Sequence, residues 1–226
     1  MNTNESLINH LKKFIVDERK ELFEKKIKER TQHLTIVLEN IYQGRNISAS
    51  IRSADCFGIQ DVHIIENNNF FNQDTSVSIG SEKWISLFRY NKKKENTKKT
   101  INKLKKDGYK IVVTTPHAKK KTLFDVDISQ KIALLFGSEV DGCSETALNL
   151  ADEQIKIPLY GFSESFNISV SVALCLQHLT YKLRNSNLNW KLSTNEKEKI
   201  MIKWLKRSVK SSEKIEREFI KNLKAK

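Results

Sequence analysis

The sequence predicts an α/β protein with an open, mostly parallel sheet and helices on both faces. Short apolar runs of strand type alternate with stretches of helical period across residues 34–184, which is the pattern of βα units. The chain has 226 residues, enough for one sizeable domain with a buried core. The segments outside this alternation have helical period only. We therefore expect an N-terminal helical extension at residues 1–33, the α/β domain at 34–184 and a basic helical extension at 185–226.

The first elements are read from the spacing of apolar residues. Apolar side chains at helical spacing predict one amphipathic helix over Ser6–Lys28. Leu34–Glu39 is a strand of the buried type, and Asp61–Glu66 is a second strand. Between them, Asn46–Phe57 has one apolar and one polar face, as expected of a helix. Residues 67–83 are polar and predict a loop that carries a short helix.

The remaining elements continue the alternation of strands and helices. Beyond them, Ser193 and Glu196 have capping-box spacing before another helix. The predicted elements are the strand Trp84–Phe88, the basic helix Asn96–Lys106, the strands Tyr109–Thr115 and Lys131–Phe136, the helix Ser144–Leu150, the strand Gln154–Leu159, the helix Asn167–Lys182 and a last charged helix Glu213–Leu223.

The charge is strongly basic and unevenly distributed. The net charge is +13, which favours a polyanion, meaning nucleic acid or an anionic membrane surface. The membrane surface is disfavoured, because no helix pairs lysines with a face rich in Trp, Phe and Leu. Residues 91–121 hold twelve lysines and only two acidic residues, and residues 190–226 hold twelve basic and five acidic side chains. By contrast, residues 131–180 contain only Lys131 and Lys156 as basic residues. A solvated lysine-rich face explains part of this excess, but the distribution also suits a basic surface around a neutral pocket.

Several classes of protein are disfavoured by what the sequence lacks. No apolar run approaches the ~20 residues of a transmembrane helix, and the N-terminus does not resemble a signal peptide. The three cysteines, Cys56, Cys143 and Cys175, are far apart, which favours the reducing cytoplasm and argues against structural zinc or another metal. No predicted strand is followed by a phosphate-binding P-loop or a GxGxxG motif.

Three stretches carry polar residues of the types used in catalysis. Residues 46–54 place Asn46 just before a helix and Arg52 within it, where an arginine fork could hold a phosphate or simply lie on the surface. Residues 135–144 follow a strand with two glycines, which allow a ligand to approach closely. Residues 155–176 read as a strand, a polar loop and a helix start, a common ligand site in α/β sheets and also a common capping arrangement.

Together, these stretches resemble the three motifs of the SpoU family of RNA 2′-O-methyltransferases, within the SPOUT superfamily. Each motif is weak by itself, but three in this order and spacing are specific. The matching positions are Asn46 and Arg52 in the first motif; Phe136, Gly137, Glu139, Gly142 and Ser144 in the second; and Ile157, Pro158, Gly161, Ser165, Asn167, Ser169 and Val170 in the third.

The resemblance implies a SPOUT fold with a C-terminal deep trefoil knot that binds S-adenosylmethionine. It also implies a homodimer whose active site draws on both subunits. Phe166 departs from the usual leucine of the family and is bulkier beside the methyl donor. The cofactor contacts carried over from the family are Thr114, Thr115, Leu135, Gly137, Ile157, Leu159, Ser165 and Phe166.

The resemblance also implies the catalytic set Asn46, Arg52, Glu139, Ser165 and Asn167. A ribose 2′-hydroxyl needs alignment and removal of its proton before it attacks a sulfonium methyl. The family assigns the base role to arginine, but a guanidinium pKa above ~12 favours a phosphate anchor instead. As RNA contacts we expect the basic side chains Lys119, Lys120, Lys121 and Arg30.

Within the family, the chain is most similar to the bacterial tRNA guanosine-18 2′-O-methyltransferases. Only about thirty residues precede the first predicted strand, too few for the globular RNA-binding domain that ribosomal-RNA relatives commonly carry. The expected activity is thus methyl transfer to tRNA in the cytoplasm. Two alternatives stay open, namely the same chemistry on ribosomal RNA and a catalytically silent RNA-binding protein of the same fold.

Overall fold

A six-stranded parallel sheet forms the centre of the fold. The structure is a computed structural model that describes residues 3–72, 74–92 and 95–224. The order of the strands across the sheet is β3-β2-β1-β5-β4-β6, and every pairing is parallel, which confirms the predicted fold class. The strands are β1 (Leu34–Glu39), β2 (Asp61–Ile65), β3 (Ser86–Tyr90), β4 (Lys110–Thr114), β5 (Ile132–Phe136) and β6 (Glu153–Ile155).

Helices account for most of the remaining described residues. Two short 3₁₀ turns, Ser81–Lys83 and Leu123–Asp125, complete the regular structure. The helices are α1 (Thr3–Lys12), α2 (Asp17–Ile27), α3 (Gly44–Cys56), α4 (Thr75–Ser78), α5 (Asn96–Lys106), α6 (Glu145–Leu150), α7 (Ile168–Arg184), α8 (Thr194–Ser208) and α9 (Ser212–Lys224).

The sheet is covered on both faces, which explains why its central strands β1 and β5 are buried along their whole length. Alternate residues of β1 show the two faces. Ile36 and Leu38 belong to a core cluster that includes residues of α3 and α7, such as Ile51 and Leu176. Val37 belongs to a second cluster, which includes residues of α5 and α6. One strand therefore supports two separate helical layers.

The topology brings the carboxyl ends of β1 and β5 together. The chain winds outward from β1 to β3 and then returns to the other side of β1 with β4, β5 and β6. Leu38 of β1 pairs with Phe136 of β5, the last residue of that strand. Loops that leave adjacent parallel strands at such a reversal of strand order form the usual ligand-binding edge of an α/β sheet.

The terminal segments form a compact unit of their own. One unit runs up to Arg30 and resumes at Lys191, and the other is Thr31–Trp190. Within the terminal unit, α1 packs on α8 and α9, and α2 packs on α8. Aromatic contacts contribute to the packing of this unit, because the ring centroid of Phe23 lies 5.5 Å from that of the fully buried Trp204. The sequence predicts two separate helical extensions, one at each terminus, whereas the structure joins them in one helical unit.

Three predicted element boundaries are wrong. The single helix predicted over Ser6–Lys28 is two helices in the structure. The helix is interrupted because a run of bulky residues, two of them β-branched, ends at Val16, whose backbone is extended. The acidic residues at the start of α2 then favour a new helix. The strand predicted to reach Leu159 ends at Ile155, before Pro158, which lacks a backbone donor. The third strand begins at Ser86, because the preceding 3₁₀ turn extends to Lys83.

The helices were also compared with what a bilayer requires. Across the described ranges, every helix is too short or too polar to cross a membrane.

His63 is a buried titratable group on β2, the strand next to the edge strand β3. Its side chain is 4% exposed, stacks on Phe88 with ring centroids 4.8 Å apart, and places Nδ1 2.9 Å from the Tyr90 hydroxyl. Burial lowers the pKa of His63 to about 4; the charge of Lys103 lowers it further and that of Asp107 opposes the shift. The folded protein therefore disfavours the imidazolium.

We predict that His63 makes the fold sensitive to mild acid. A folded-state pKa of about 4 against an unfolded value of 6.5 means that the unfolded chain takes up the proton first, so stability is lost as pH falls from 6.5 toward 4. Between pH 7 and pH 5 this group should remove about 2 kcal/mol of unfolding free energy. Urea unfolding of wild type and His63→Phe at both pH values measures the difference.

The matched control is His117→Gln, because His117 is exposed. It should keep the wild-type loss between the two pH values. A His63→Phe protein with the same acid sensitivity as wild type would contradict the prediction.

Candidate active site

The loops after β1 and β2 are fastened together by Asn40. This residue has a left-handed backbone (φ 51), and its Oδ1 accepts the backbone N–H groups of Asn67 (2.8 Å) and Asn68 (3.2 Å). The Asn69 side chain donates to the carbonyl of Asn40 (2.8 Å). Asparagine tolerates this conformation and supplies the acceptor, so one residue fixes the backbone that leads into α3.

Three of the predicted catalytic residues meet in one chain of hydrogen bonds. Asn46 Nδ2 donates to Glu139 Oε1 (2.5 Å), and Asn46 Oδ1 accepts from Asn167 Nδ2 (3.2 Å). The backbone N–H of Tyr42 donates to the other oxygen, Glu139 Oε2 (3.1 Å). Asn46 is buried, whereas Glu139 and Asn167 reach the surface. We call Glu139, Asn46 and Asn167 the amide relay.

Each outer member of the relay is held by its own local structure. Asn167 is the N-cap of α7, and its Oδ1 accepts from the Ser169 backbone (2.9 Å) and hydroxyl (2.7 Å). Glu139 lies on a tight turn closed by two hydrogen bonds between the backbones of Ser138 and Gly142. Gly142 has a φ of 68, a conformation suited to glycine. The motif spacing therefore reflects a cap and a turn that aim two side chains at Asn46.

Two predicted catalytic residues lie outside the relay. Arg52 is exposed on α3, and no hydrogen bond or ion pair joins its guanidinium to another described residue. Six residues along a helix are ~9 Å of rise and about 120° away from Asn46 around the axis, so the two side chains occupy different faces. Ser165 is exposed in the loop before α7. The structure thus brings together three of the five predicted catalytic residues.

The predicted cofactor residues lie at the carboxyl ends of three adjacent strands. Thr114 Oγ1 donates to the carbonyl of Leu135 (3.2 Å), and the Thr115 N–H donates to the carbonyl of Ile155 (2.9 Å), which ties β4 to both neighbours. Leu135 and Gly137 are buried at the end of β5. The others follow β6, where Ile157 and Leu159 are half-buried and Ser165 and Phe166 are exposed.

The segment after β6 could hold a ligand through its backbone. Among the described residues, the backbone of 157–166 makes no hydrogen bond to other backbone groups. Its N–H and C=O groups are therefore available to a bound molecule. Such a segment suits a ligand that is held mainly by main-chain groups.

The predicted RNA contacts differ in their surroundings. Lys119 and Lys120 are exposed. Lys121 pairs with Glu153 (2.8 Å), a carboxylate that also pairs with Lys110, and the bond to Glu153 raises the pKa of Lys121.

The RNA-binding prediction for Arg30 is not supported by its environment. The side chain is 5% exposed, and its guanidinium lies 5.4 Å from the centre of the Trp204 ring. A guanidinium stacked on a buried indole contributes to packing and is not presented to a phosphate.

Sequence reasoning missed a buried carboxylate behind the site. Glu39, the last residue of β1, is 1% exposed and accepts from Thr97 Oγ1 (2.5 Å), Ser144 Oγ (2.7 Å) and the Ser144 N–H (3.0 Å). Thr97 and Ser144 also line a cleft of about 400 Å³. A charged residue ending an otherwise apolar strand was the available signal, because a buried carboxylate must have such partners.

The cysteine at this edge is not suited to nucleophilic chemistry. Burial raises the pKa of Cys143 to about 12, with Glu39 adding to the shift, so the thiol stays protonated. In the part of the chain that the structure describes, no three His, Cys, Asp or Glu side chains are placed to hold a metal ion.

Comparisons with known proteins point to one family. A model of the SpoU rRNA Methylase family matches residues 33–177. The chain is 42% identical over 209 residues to a tRNA (guanosine(18)-2'-O)-methyltransferase of Borreliella burgdorferi, covering 92% of this chain and 94% of the relative. The A. aeolicus TrmH/SpoU tRNA modifying enzyme superposes with a TM-score of 0.77 at 24% identity, covering 86% of this chain and 98% of that chain.

A second solved structure supports the same fold. The SpoU methyltransferase AviRb from Streptomyces viridochromogenes, in complex with the cofactor AdoMet, superposes with a TM-score of 0.59 at 22% identity, over 72% of this chain and 62% of that chain. These similarities confirm the SPOUT fold; the trefoil knot stays a prediction.

We predict that the turn carrying Glu139 requires glycine at position 137. A Cβ added there would lie 2.1 Å from the carbonyl carbon of Gly142 and 2.2 Å from the backbone nitrogen of Cys143, and backbone atoms cannot move aside easily. Gly137→Ala should lower the unfolding free energy by about 1–3 kcal/mol. Urea unfolding measures this loss.

Gly161→Ala is the matched control, because a Cβ at Gly161 meets nothing within 4 Å. It should change the unfolding free energy by less than ~0.5 kcal/mol. Equal effects of the two substitutions would show that the turn tolerates a side chain.

Proposed function

Because the chain belongs to the SpoU rRNA Methylase family, we propose that it methylates the 2′-hydroxyl of a ribose in tRNA with S-adenosylmethionine as donor. We propose guanosine 18 as the target, following the name of its 42% identical relative. The observation that carries the proposal is the amide relay, which joins residues of all three family motifs by hydrogen bonds.

The relay is suited to orienting a sugar hydroxyl. Its polar groups are fixed before substrate arrives, so they need little reorganisation during the reaction. Asn46 is held from both sides by Glu139 and Asn167, and the outer two reach solvent where a ribose can approach. In this proposal Asn167 and Glu139 align the sugar, and alignment alone lowers the barrier of a bimolecular transfer substantially.

The cofactor would supply a methyl group on a positively charged sulfur. We assign its binding to Thr114, Thr115, Leu135, Gly137 and the segment 157–166. The unbonded backbone of that segment supports the assignment, since it offers donors and acceptors to an adenosine and an amino acid group. Residues 131–180 carry two basic and six acidic side chains, and this net negative charge is also compatible with a cationic sulfonium.

A second copy of the chain is proposed to complete the site. Val170, Leu174 and Tyr181 share one face of α7 and are 43%, 38% and 67% exposed, which leaves an apolar stripe that a partner subunit could cover. In that dimer, Arg52 of one subunit would reach the relay of the other. We assign it to anchoring a substrate phosphate, because a guanidinium is a poor proton acceptor.

The charge distribution supports a tRNA partner. Residues 1–30 and 191–226 together carry 20 basic and 11 acidic residues, +9 of the total +13. Neutralising phosphates with such side chains gives salt-dependent binding to nucleic acid. We propose that the helical unit and the Lys119–Lys120 segment contact the tRNA, and that the enzyme acts in the cytoplasm.

Two alternatives are distinguished by one measurement. The ribosomal-RNA alternative is favoured by the family description and by a 28% identical 23S rRNA relative, and the silent alternative is favoured by no residue of the relay. Mass-spectrometric mapping after incubation with S-adenosylmethionine and mixed tRNA or ribosomal RNA separates them. Methylation of ribosomal RNA alone would support the first, and cofactor binding without any transfer would support the second.

We predict that Arg52→Ala loses turnover by orders of magnitude while calorimetric binding of S-adenosylmethionine is retained. The dimer proposal adds a complementation test with Asn167→Ala. In a mixed dimer, Asn167 of the Arg52→Ala subunit meets Arg52 of the Asn167→Ala subunit, so one site is intact. Mixing the two inactive proteins should restore up to about a quarter of wild-type turnover.

The complementation result decides between two arrangements. If Arg52 serves its own subunit, no mixed site is intact and activity stays absent. Full turnover by Arg52→Ala alone would remove this residue from the mechanism.

We predict that Lys119→Ala and Lys120→Ala each weaken tRNA binding and reduce the slope of log affinity against log salt by about one unit. Lys121→Ala should change the slope less, because Lys121 is already paired with Glu153. Filter binding over a salt series measures the three slopes. Unchanged slopes for Lys119→Ala and Lys120→Ala would contradict this prediction and would indicate that the tRNA binds to the helical unit instead.

A further inference from the structure

Tyr42 combines an exposed aromatic ring with a backbone that belongs to the relay. Its ring is 72% exposed, yet its N–H donates to Glu139 Oε2 at 3.1 Å. The ring is therefore only a few covalent bonds away from the backbone nitrogen that donates to Glu139. The preceding residue, Ile41, is 3% exposed in the core, so the backbone of Tyr42 is held firmly while its side chain points to solvent.

The fixed backbone is maintained from the other side as well. Asn40 bonds to the loop after β2 through its side chain and its carbonyl. Gly44 lies so close to Asn72 that an added Cβ would be 2.6 Å from the Asn72 carbonyl oxygen. A segment pinned before and after Tyr42 presents the ring in a reproducible position, and nothing described in the fold uses that ring.

We propose that Tyr42 stacks on the base of the nucleotide whose ribose is methylated. The inference rests on the proposed function, which places that ribose at the relay. A base is joined directly to its ribose, so it must lie beside whatever surrounds the relay, and Tyr42 is the exposed aromatic residue bonded to it. Unstacked bases in RNA loops are commonly held on aromatic side chains in this way.

The chemistry of stacking predicts which substitutions matter. A phenylalanine retains the π-face and an alanine removes it, whereas the Tyr42 N–H is a backbone group that both variants keep. Tyr42→Ala should lower kcat/KM for an unmodified tRNA transcript by about 10- to 100-fold, and Tyr42→Phe should stay within about 2-fold of wild type. Because Tyr42 is exposed, neither substitution should unfold the protein, so unfolding would not account for a loss of activity.

The decisive experiment removes the base instead of the ring. Wild type and Tyr42→Ala are compared on the transcript and on the same RNA carrying an abasic ribose at the methylated position. If the ring acts on that base, the two proteins have the same kcat/KM on abasic RNA, because the interaction is already lost. An equal loss on both RNAs would overturn the proposal and assign Tyr42 a role in supporting Glu139.

A spectroscopic readout covers the case in which abasic RNA is turned over too slowly. A transcript is labelled with 2-aminopurine at the methylated position. Its fluorescence should be quenched when it binds wild type or Tyr42→Phe, and should not be quenched when it binds Tyr42→Ala. Equal quenching by Tyr42→Ala and wild type would contradict stacking.

Phe70→Ala is the matched control. Phe70 is also 72% exposed and lies on the loop after β2, but neither relay oxygen of Glu139 accepts its N–H. It should retain wild-type kcat/KM. A loss equal to that of Tyr42→Ala would indicate a general apolar surface, and a changed sedimentation coefficient for Tyr42→Ala would place the ring in a subunit interface; either result overturns the inference.

Failure of the inference and failure of the proposed function give different results. A wild-type protein that transfers no methyl group to tRNA refutes both. An active wild type with an equally active Tyr42→Ala refutes the stacking role alone.

Discussion

The amide of Asn46 is the interaction on which the site depends. A single side-chain amide donates to Glu139 and accepts from Asn167, residues that lie 93 and 121 positions away in sequence. Few side chains carry a donor and an acceptor on one planar group. Aspartate would lose the donor and face the Glu139 carboxylate, and leucine would lose both bonds. The buried position of Asn46 also makes any unpaired group there costly.

The sheet explains why this amide finds its partners. Adjacent carboxyl ends of β1 and β5 bring the segment 137–144 beside the start of α3. That segment is held at both ends, because Glu139 bonds to Asn46 and Ser144 bonds to the buried Glu39. Two carboxylates thus fix one loop from opposite sides. Without the second attachment, the loop would lose conformational order that the relay requires.

Local patterns made much of this predictable from sequence, and long-range packing set the limit. Periodicity gave the alternating strands and helices, and the motifs named three residues that meet. The sequence could not show that Arg30 stacks on Trp204, since the two are far apart in the chain and a basic residue reads as a surface residue. Glu39 was read as the end of a strand for a similar reason: its partners, Thr97 and Ser144, come from distant helix starts.

The contrast between fixed and unsatisfied groups suggests how the work is divided. The relay is ordered by bonds within one subunit, whereas Arg52, Ser165 and the backbone of residues 157–166 have exposed or unbonded polar groups. Ordering such groups costs conformational entropy, which only a bound molecule or a second subunit can offset. In the proposed function, the fixed part would orient the sugar at once, whereas the unsatisfied part would be ordered only by the cofactor, the RNA and a partner subunit. Under that proposal, a single subunit without RNA would not transfer the methyl group of its cofactor to water.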